Sequence, residues 1–133
     1  MLNYLKLYGI TLVAFLAIDI AWLGFIARSF YQRYLGYLMA PAINWYAAFC
    51  FYLLFIVGLL VFVVEPGLKE NSIISTLWRA ALFGLVTYAT YDLTNHATVK
   101  DWPLMVTVID LIWGIVLSVV VSSISFYAGK WLA

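Results

Sequence analysis

Four apolar runs divide the chain, separated by shorter polar stretches. They extend from about Leu5 to Ala27, from about Ile43 to Val64, from about Leu77 to Asn95 and from about Pro103 to Phe126, the third being the shortest and most polar. A hydrocarbon core of about 30 Å takes about 20 apolar helical residues at 1.5 Å rise each. The pattern therefore predicts an all-α fold, an integral membrane four-helix bundle with antiparallel up-down-up-down topology, in one transmembrane domain over residues 1–133. The runs lack the period-two alternation of a membrane β-barrel. Pro103 suits a first helical turn. The N-terminal run is too long for a secretory signal, holds Asp19 and lacks a small-residue cleavage site, so it reads as the first span.

The connections differ in kind. RSFYQRYLGYLMAPA (28–42) sets Phe30, Tyr31, Tyr34, Tyr37 and Leu38 at helical spacing, with Arg28 and Gln32 off that stripe. Such a segment lies in the membrane interface as a helix, or is a loop whose aromatics anchor among headgroups. EPGLKENS (65–72) reads as a turn, with Pro66-Gly67 as breaker and Asn71 or Ser72 capping the next helix. HATVKDW (96–102) is short enough to make the last two spans antiparallel neighbours.

Composition agrees with this reading and removes several functions. The 133 residues are 67% hydrophobic and 10% charged, with a mean hydropathy of +1.05, more apolar surface than one soluble core hides. A net charge of +1 from seven basic and six acidic side chains offers no run for nucleic acid. Cys50 is the only cysteine, so a chain has no internal disulfide and no cysteine-based metal site. Lys6, Lys69, Arg79 and Lys130 fall on the side of the termini, and Arg28, Arg33 and Lys100 on the other. That small bias favours cytoplasmic termini, and the opposite side is here the outer one.

Against this background the acids stand out. AIDIAWLG (17–24) and VIDLIWGI (108–115) each place a tryptophan three residues after an aspartate inside an apolar run. Trp45, Trp78, Trp102 and Trp131 sit at span ends, where interfacial tryptophans belong, whereas Trp22 and Trp113 are deeper. Counted from the outer ends of two antiparallel spans, Asp19 and Asp110 lie at the same depth, about 10 to 12 Å. Asp92 near the end of the third span and Asn44 at the start of the second belong to the same half, while the inner half holds mainly aliphatic, Phe and small residues.

A charged carboxyl at mid-membrane costs about 2.5 to 3.5 kcal/mol on insertion scales, so these acids should face inward. Leu12, Phe15, Asp19, Trp22 and Ile26 share one helical face; Tyr88, Asp92 and Asn95 another; Thr107, Asp110, Trp113, Gly114 and Leu117 a third. With no basic residue at that depth, at least one acid is expected to be protonated at neutral pH or paired with a bound cation, unless Arg28 or Lys100 snorkels back. The blander alternative makes the acids interhelical glue, each bond worth about 0.6 kcal/mol. The D-x-x-W echo joins the first and fourth spans, so it is no inverted duplication. His96, the only histidine, reads as a helix-end cap or interface residue, or as a proton shuttle or metal ligand beside Asp92. No second histidine completes a metal or haem site, no catalytic motif is present, and no cofactor is called for.

In YDLTNHATVKDWP (91–103) and VTVIDLIWG (106–114) the sequence resembles a family of small bacterial inner-membrane proteins catalogued as domain of unknown function 2177. AIDIAWLG and the aromatic loop after it also fit, so the resemblance covers essentially the whole chain. It implies a compact four-helix membrane protein and gives the motif residues as Tyr91, Asp92, Thr94, Asn95, Trp102, Pro103, Asp110, Trp113 and Gly114. His96 occupies a position where many relatives are expected to be apolar.

Three functions follow as expectations. The first is a binding or transport protein for an amphipathic small molecule or a proton or cation, with Asp19, Trp22, Asn44, Tyr88, Tyr91, Asp92, Asn95, Thr107, Asp110 and Trp113 as the site. Few spans for a transporter suggest a homodimer, with small residues Ala17, Ala21, Ala80 and Gly84 allowing close contacts within or between chains. The second is a membrane enzyme, or enzyme subunit, using Asp19, Asp92 and Asp110 in acid-base chemistry on a lipid or isoprenoid chain. The third is a structural partner of another membrane protein.

Overall fold

The computed structural model describes residues 2–133. Four long helices are apolar enough to cross a membrane: α1 (Tyr4–Ile26), α3 (Trp45–Lys69), α4 (Ile73–Thr98) and α5 (Leu104–Leu132). A short helix, α2 (Arg28–Leu35), follows the first, and no strand occurs among the described residues. Local chemistry fixes the starts. Asn3 accepts from the Lys6 amide at 3.1 Å, Asn44 from Ala47 at 3.2 Å and Ser72 from Ser75 at 3.1 Å, each satisfying an otherwise orphaned N–H.

The largest departure from the sequence reading concerns Pro66-Gly67, which breaks nothing: α3 continues through both to Lys69. A wide π-helical turn over Leu60–Val64 ends just before, and Pro66 falls at the start of the new α-helical segment, where its missing N–H is harmless. The chain turns at Asn71 instead, with φ of 49°, while Ser72 is the cap. Lys69–Glu65 at 3.0 Å and Arg79–Glu70 at 3.1 Å pin this end. The close approach selects glycine, because a Cβ on Gly67 would lie 1.8 Å from Thr76 Oγ1. Gly67→Ala should therefore destabilise the protein by about 1 to 3 kcal/mol. Thr76→Ala in the same chain should recover part of that loss, as measured by thermal unfolding in detergent.

Helices α4 and α5 make the most extensive contact and are antiparallel neighbours, joined at Val99–Pro103 with Asp101 in the left-handed region. Gly84 and Ala80 both point into this bundle, Gly84 against the Gly114 backbone, so here small residues serve contacts within one chain; Ala17 is exposed. Phe15, Ile56, Leu59, Val63, Leu117 and Val121 form the apolar centre. The inner half is less uniformly apolar than its sequence suggested. Thr11, Thr76, Ser118, Ser122 and Ser125 are all buried there, and the Thr11 and Ser125 hydroxyls meet at 2.7 Å. Small hydroxyl residues permit the close approach of helices that lipid-embedded bundles require.

Alpha-1 ends in a second π-helical turn, Trp22–Ile26. It changes the face presented by the last residues: Phe15 and Asp19 are buried, but Ile26, expected on the same stripe, is 68% exposed. The wider turn hands the chain to α2, which crosses the outer end of the bundle, followed by a 3-10 turn at Gly36–Leu38. The aromatic segment is thus helical in its first half. Its Tyr37 hydroxyl donates to the Asp101 carbonyl at 2.8 Å, tying it to the α4–α5 turn.

Candidate functional site

Alpha-2 roofs a cavity of about 750 Å³ walled by the outer halves of the four spans. This is within the range of small-molecule sites. Three of its wall residues are the acids Asp19, Asp92 and Asp110, each less than a tenth exposed. Burial on facing helices gathers them because lipid exposure would strand each charge in hydrocarbon.

The two D-x-x-W segments serve each other. Trp22 and Trp113 stack with centroids 4.3 Å apart and planes 9° apart, bridging α1 and α5. From that stack the Trp113 indole N–H donates to Asp19 at 3.3 Å. The Trp22 N–H donates to the Tyr31 hydroxyl at 3.1 Å, and Tyr31 in turn donates to Asp110. Each aspartate is therefore supplied by the tryptophan of the opposite segment, directly in one case and through a phenol in the other. On antiparallel helices this reciprocity follows from equal depth and equal spacing.

Tyr31, outside the spans, holds its proton to higher pH than an ordinary tyrosine. Burial is the larger cause, and the hydrogen bond and negative charge of Asp110 add to it. Its phenol is a fixed neutral donor at physiological pH. Asp92 differs from the other two acids: it is 0% exposed, no amide, hydroxyl or indole donor among the described residues reaches its oxygens, and its close polar neighbour is the Asp110 carboxyl. A buried carboxyl set against a second acid, with no neutral donor, is costly unless a proton or a cation lies between them.

Tyr88 and Tyr91 flank Asp92 on α4 and also line the cavity. Tyr88 packs on Gly114, where a Cβ would come within 2.4 Å of its ring. Helix α3 contributes Ala48, Phe51 and Tyr52. The rim is two-sided: Leu23, Phe51 and Met39 are apolar and about half exposed, whereas Arg28 and Gln32 are polar. Arg28 and Gln32 thus face the cavity, contrary to their off-stripe position in the sequence, because α2 lies across its mouth. Lys100 is not in the wall.

Three residues expected at the site stand elsewhere. Asn44 is exposed and spends its side-chain oxygen as the cap of α3. Asn95 lies one turn beyond Asp92, outside the cavity wall, and its carbonyl accepts from Val99 where α4 ends. Thr107 is a junction: its hydroxyl accepts from the Trp102 indole at 3.0 Å and pairs with His96 Nδ1 at 3.1 Å. Trp102 is correspondingly 8% exposed, a buried brace and not an interfacial anchor, while Trp45, Trp78 and Trp131 are exposed. His96 joins α4 to α5 and does not line the cavity. No group of three metal-ligating side chains occurs among the described residues. The residue hardest to see in the sequence was Tyr31, whose only signal was its place in the aromatic stripe.

Compared with known proteins, the chain matches over residues 4–127 the model of a family described as predicted membrane protein (DUF2177). No curated protein and no solved structure matches it.

Proposed function

The chain belongs to the DUF2177 family of predicted membrane proteins, and from the cavity it carries we propose that it binds, and passes across or along the membrane, an amphipathic small molecule. One observation carries this reading: a space of about 750 Å³ at hydrocarbon depth has carboxyls and phenols deep in its wall and the apolar side chains of Leu23, Phe51 and Met39 at its rim. Apolar rim residues admit a chain sideways from the bilayer, and the acids receive its polar end. The slight excess of basic residues on the side of the termini supports an orientation with cytoplasmic termini, in which that opening faces the outer leaflet.

Ala48 offers the test. It lines the cavity on α3 away from every hydrogen bond of the site. Ala48→Trp should fill the space and leave the bundle folded. Native mass spectrometry of protein extracted with its lipids should show a bound amphiphile on the wild type, reduced about tenfold or more on the variant. Equal occupancy of both would sink the proposal.

A second reading has one specific feature in its favour. The Tyr31 hydroxyl bonded to Asp110, with Asp92 in the same wall, is a donor and a base within one pocket, the arrangement of acid-base chemistry on a lipid or isoprenoid chain. Asp110→Asn would then abolish turnover of the extracted amphiphile while leaving its binding intact.

A further inference from the structure

We propose that the molecule held in the cavity is a lipophilic organic cation, an alkylammonium whose charged head sits against Asp92; this rests on the cavity being a binding site for amphiphiles. The demand comes from the unequal treatment of the three acids. Asp19 already receives the Trp113 indole N–H, and Asp110 the Tyr31 phenol. Asp92 is fully buried in the cavity lining, and no amide, hydroxyl or indole donor reaches either of its oxygens. Its close polar neighbour is the Asp110 carboxyl, a second acid that only a shared proton or a cation can reconcile with it.

The remainder of the wall favours positive charge of one kind. The acids make no ion pair among the described residues, and the basic residue of the cavity, Arg28, stands at the exposed rim. An anionic head would meet three carboxyls. A strongly hydrated ammonium or metal ion would lose its water to a wall made largely of rings. Tyr88 and Tyr91 flank Asp92, with Trp113, Phe51 and Tyr52 across the space. Aromatic faces attract weakly hydrated, alkylated ammonium groups, most strongly when water is excluded. A buried carboxylate and several rings around one apolar cavity suit an amine bearing carbon substituents, with its chain directed toward Leu23 and Met39.

The probe is octyltrimethylammonium, compared with its uncharged analogue in which carbon replaces nitrogen. Binding to wild-type protein in phosphatidylcholine nanodiscs is measured with empty nanodiscs subtracted. The cation should bind about tenfold more tightly than the analogue, the size of difference that one or two cation–π contacts and an ion pair provide. Asp92→Asn should remove that preference and Asp92→Glu should restore it. Cation affinity in the wild type should fall with falling pH as protons compete for Asp92. The charged and titratable groups facing it are Asp110 from α5, Tyr31 and Arg28 from the α2 side, Asp19 from α1, Tyr52 from α3 and its neighbours Tyr88 and Tyr91. Equal binding of both probes would overturn the cation assignment and leave the amphiphile site standing. Binding of neither would overturn both. A preference untouched in both Asp92 variants would overturn the role given to Asp92, and if Asp92→Asn does not fold, the wild-type probe comparison and its pH profile decide.

Discussion

Gly84→Ala should destabilise the protein by about 3 kcal/mol, at the upper end of what overpacking costs, and should be the most damaging single-methyl addition in the chain. The added Cβ would lie 2.2 Å from the Gly114 carbonyl oxygen and 2.7 Å from Ser118 Oγ. The first neighbour is backbone, so no rotamer change relieves the clash; α4 and α5 must separate. Because Asp92 sits on one of these helices and Asp110 and Trp113 on the other, separation also opens the cavity wall. The matched control is Gly9→Ala on α1, where a Cβ meets nothing within 4 Å. There alanine should be neutral or stabilising by up to about 1 kcal/mol through helix propensity. Thermal unfolding in detergent, followed by circular dichroism, compares the two; equal midpoints would refute the close packing of α4 on α5.

Tyr31→Phe should have the second largest effect, about 2 to 3 kcal/mol of stability, although it removes a single oxygen. The ring keeps its edge contacts with Trp22 at 6.5 Å and Phe30 at 5.3 Å. The hydroxyl, however, joins two partners: Asp110 loses a donor and the Trp22 indole loses its acceptor. Hydrogen bonds to charged groups are worth about 1.5 to 3 kcal/mol, and the half-buried Trp22 N–H left without its acceptor adds a smaller loss. The effect carries a pH signature. Burial first, then Asp110, holds the proton on Tyr31 above the usual tyrosine range, so the folded state retains a proton that the unfolded chain has lost. The contribution of Tyr31 is intact below the unfolded phenol's value of about 10 and is lost as pH rises through the higher folded value. A melting series from pH 7 upward should show a constant gap between wild type and variant until about pH 10, after which the gap closes. A gap independent of pH throughout would show that the Tyr31 hydroxyl does not couple to the acids.

Why some of this was legible in the sequence and some was not has physical causes. The spans, and the convergence of Asp19, Asp92, Asp110, Trp22 and Trp113 on one space, follow from two strong terms: the hydrocarbon thickness and the penalty for charge in lipid. Both act on residue type and depth alone. The failures lie where direction mattered. Asn44 is at the right depth, but the residue before an apolar run is a capping position, and local backbone takes its oxygen. Thr107 shares a face with Asp110, yet Trp102 and His96 reach it first. Tyr31 reads as one of several interfacial aromatics because its inward aim depends on the angle at which α2 leaves α1. The π-helical turn at Trp22–Ile26 sets that angle, and no periodicity announces a five-residue turn.

The reciprocal lacing of the first and last spans bears on how the protein is made. Synthesis proceeds from the N-terminus, so Asp19 enters the insertion machinery 94 residues before Trp113, its eventual donor, has been translated. Until α5 arrives, the chain holds an acid in hydrocarbon with no complement, an intermediate disfavoured by about 2.5 to 3.5 kcal/mol if ionised. Ribosome-bound chains stopped before α5 should therefore insert α1 poorly or hold it beside the translocon, and completion of the last helix is what commits the first to the bilayer.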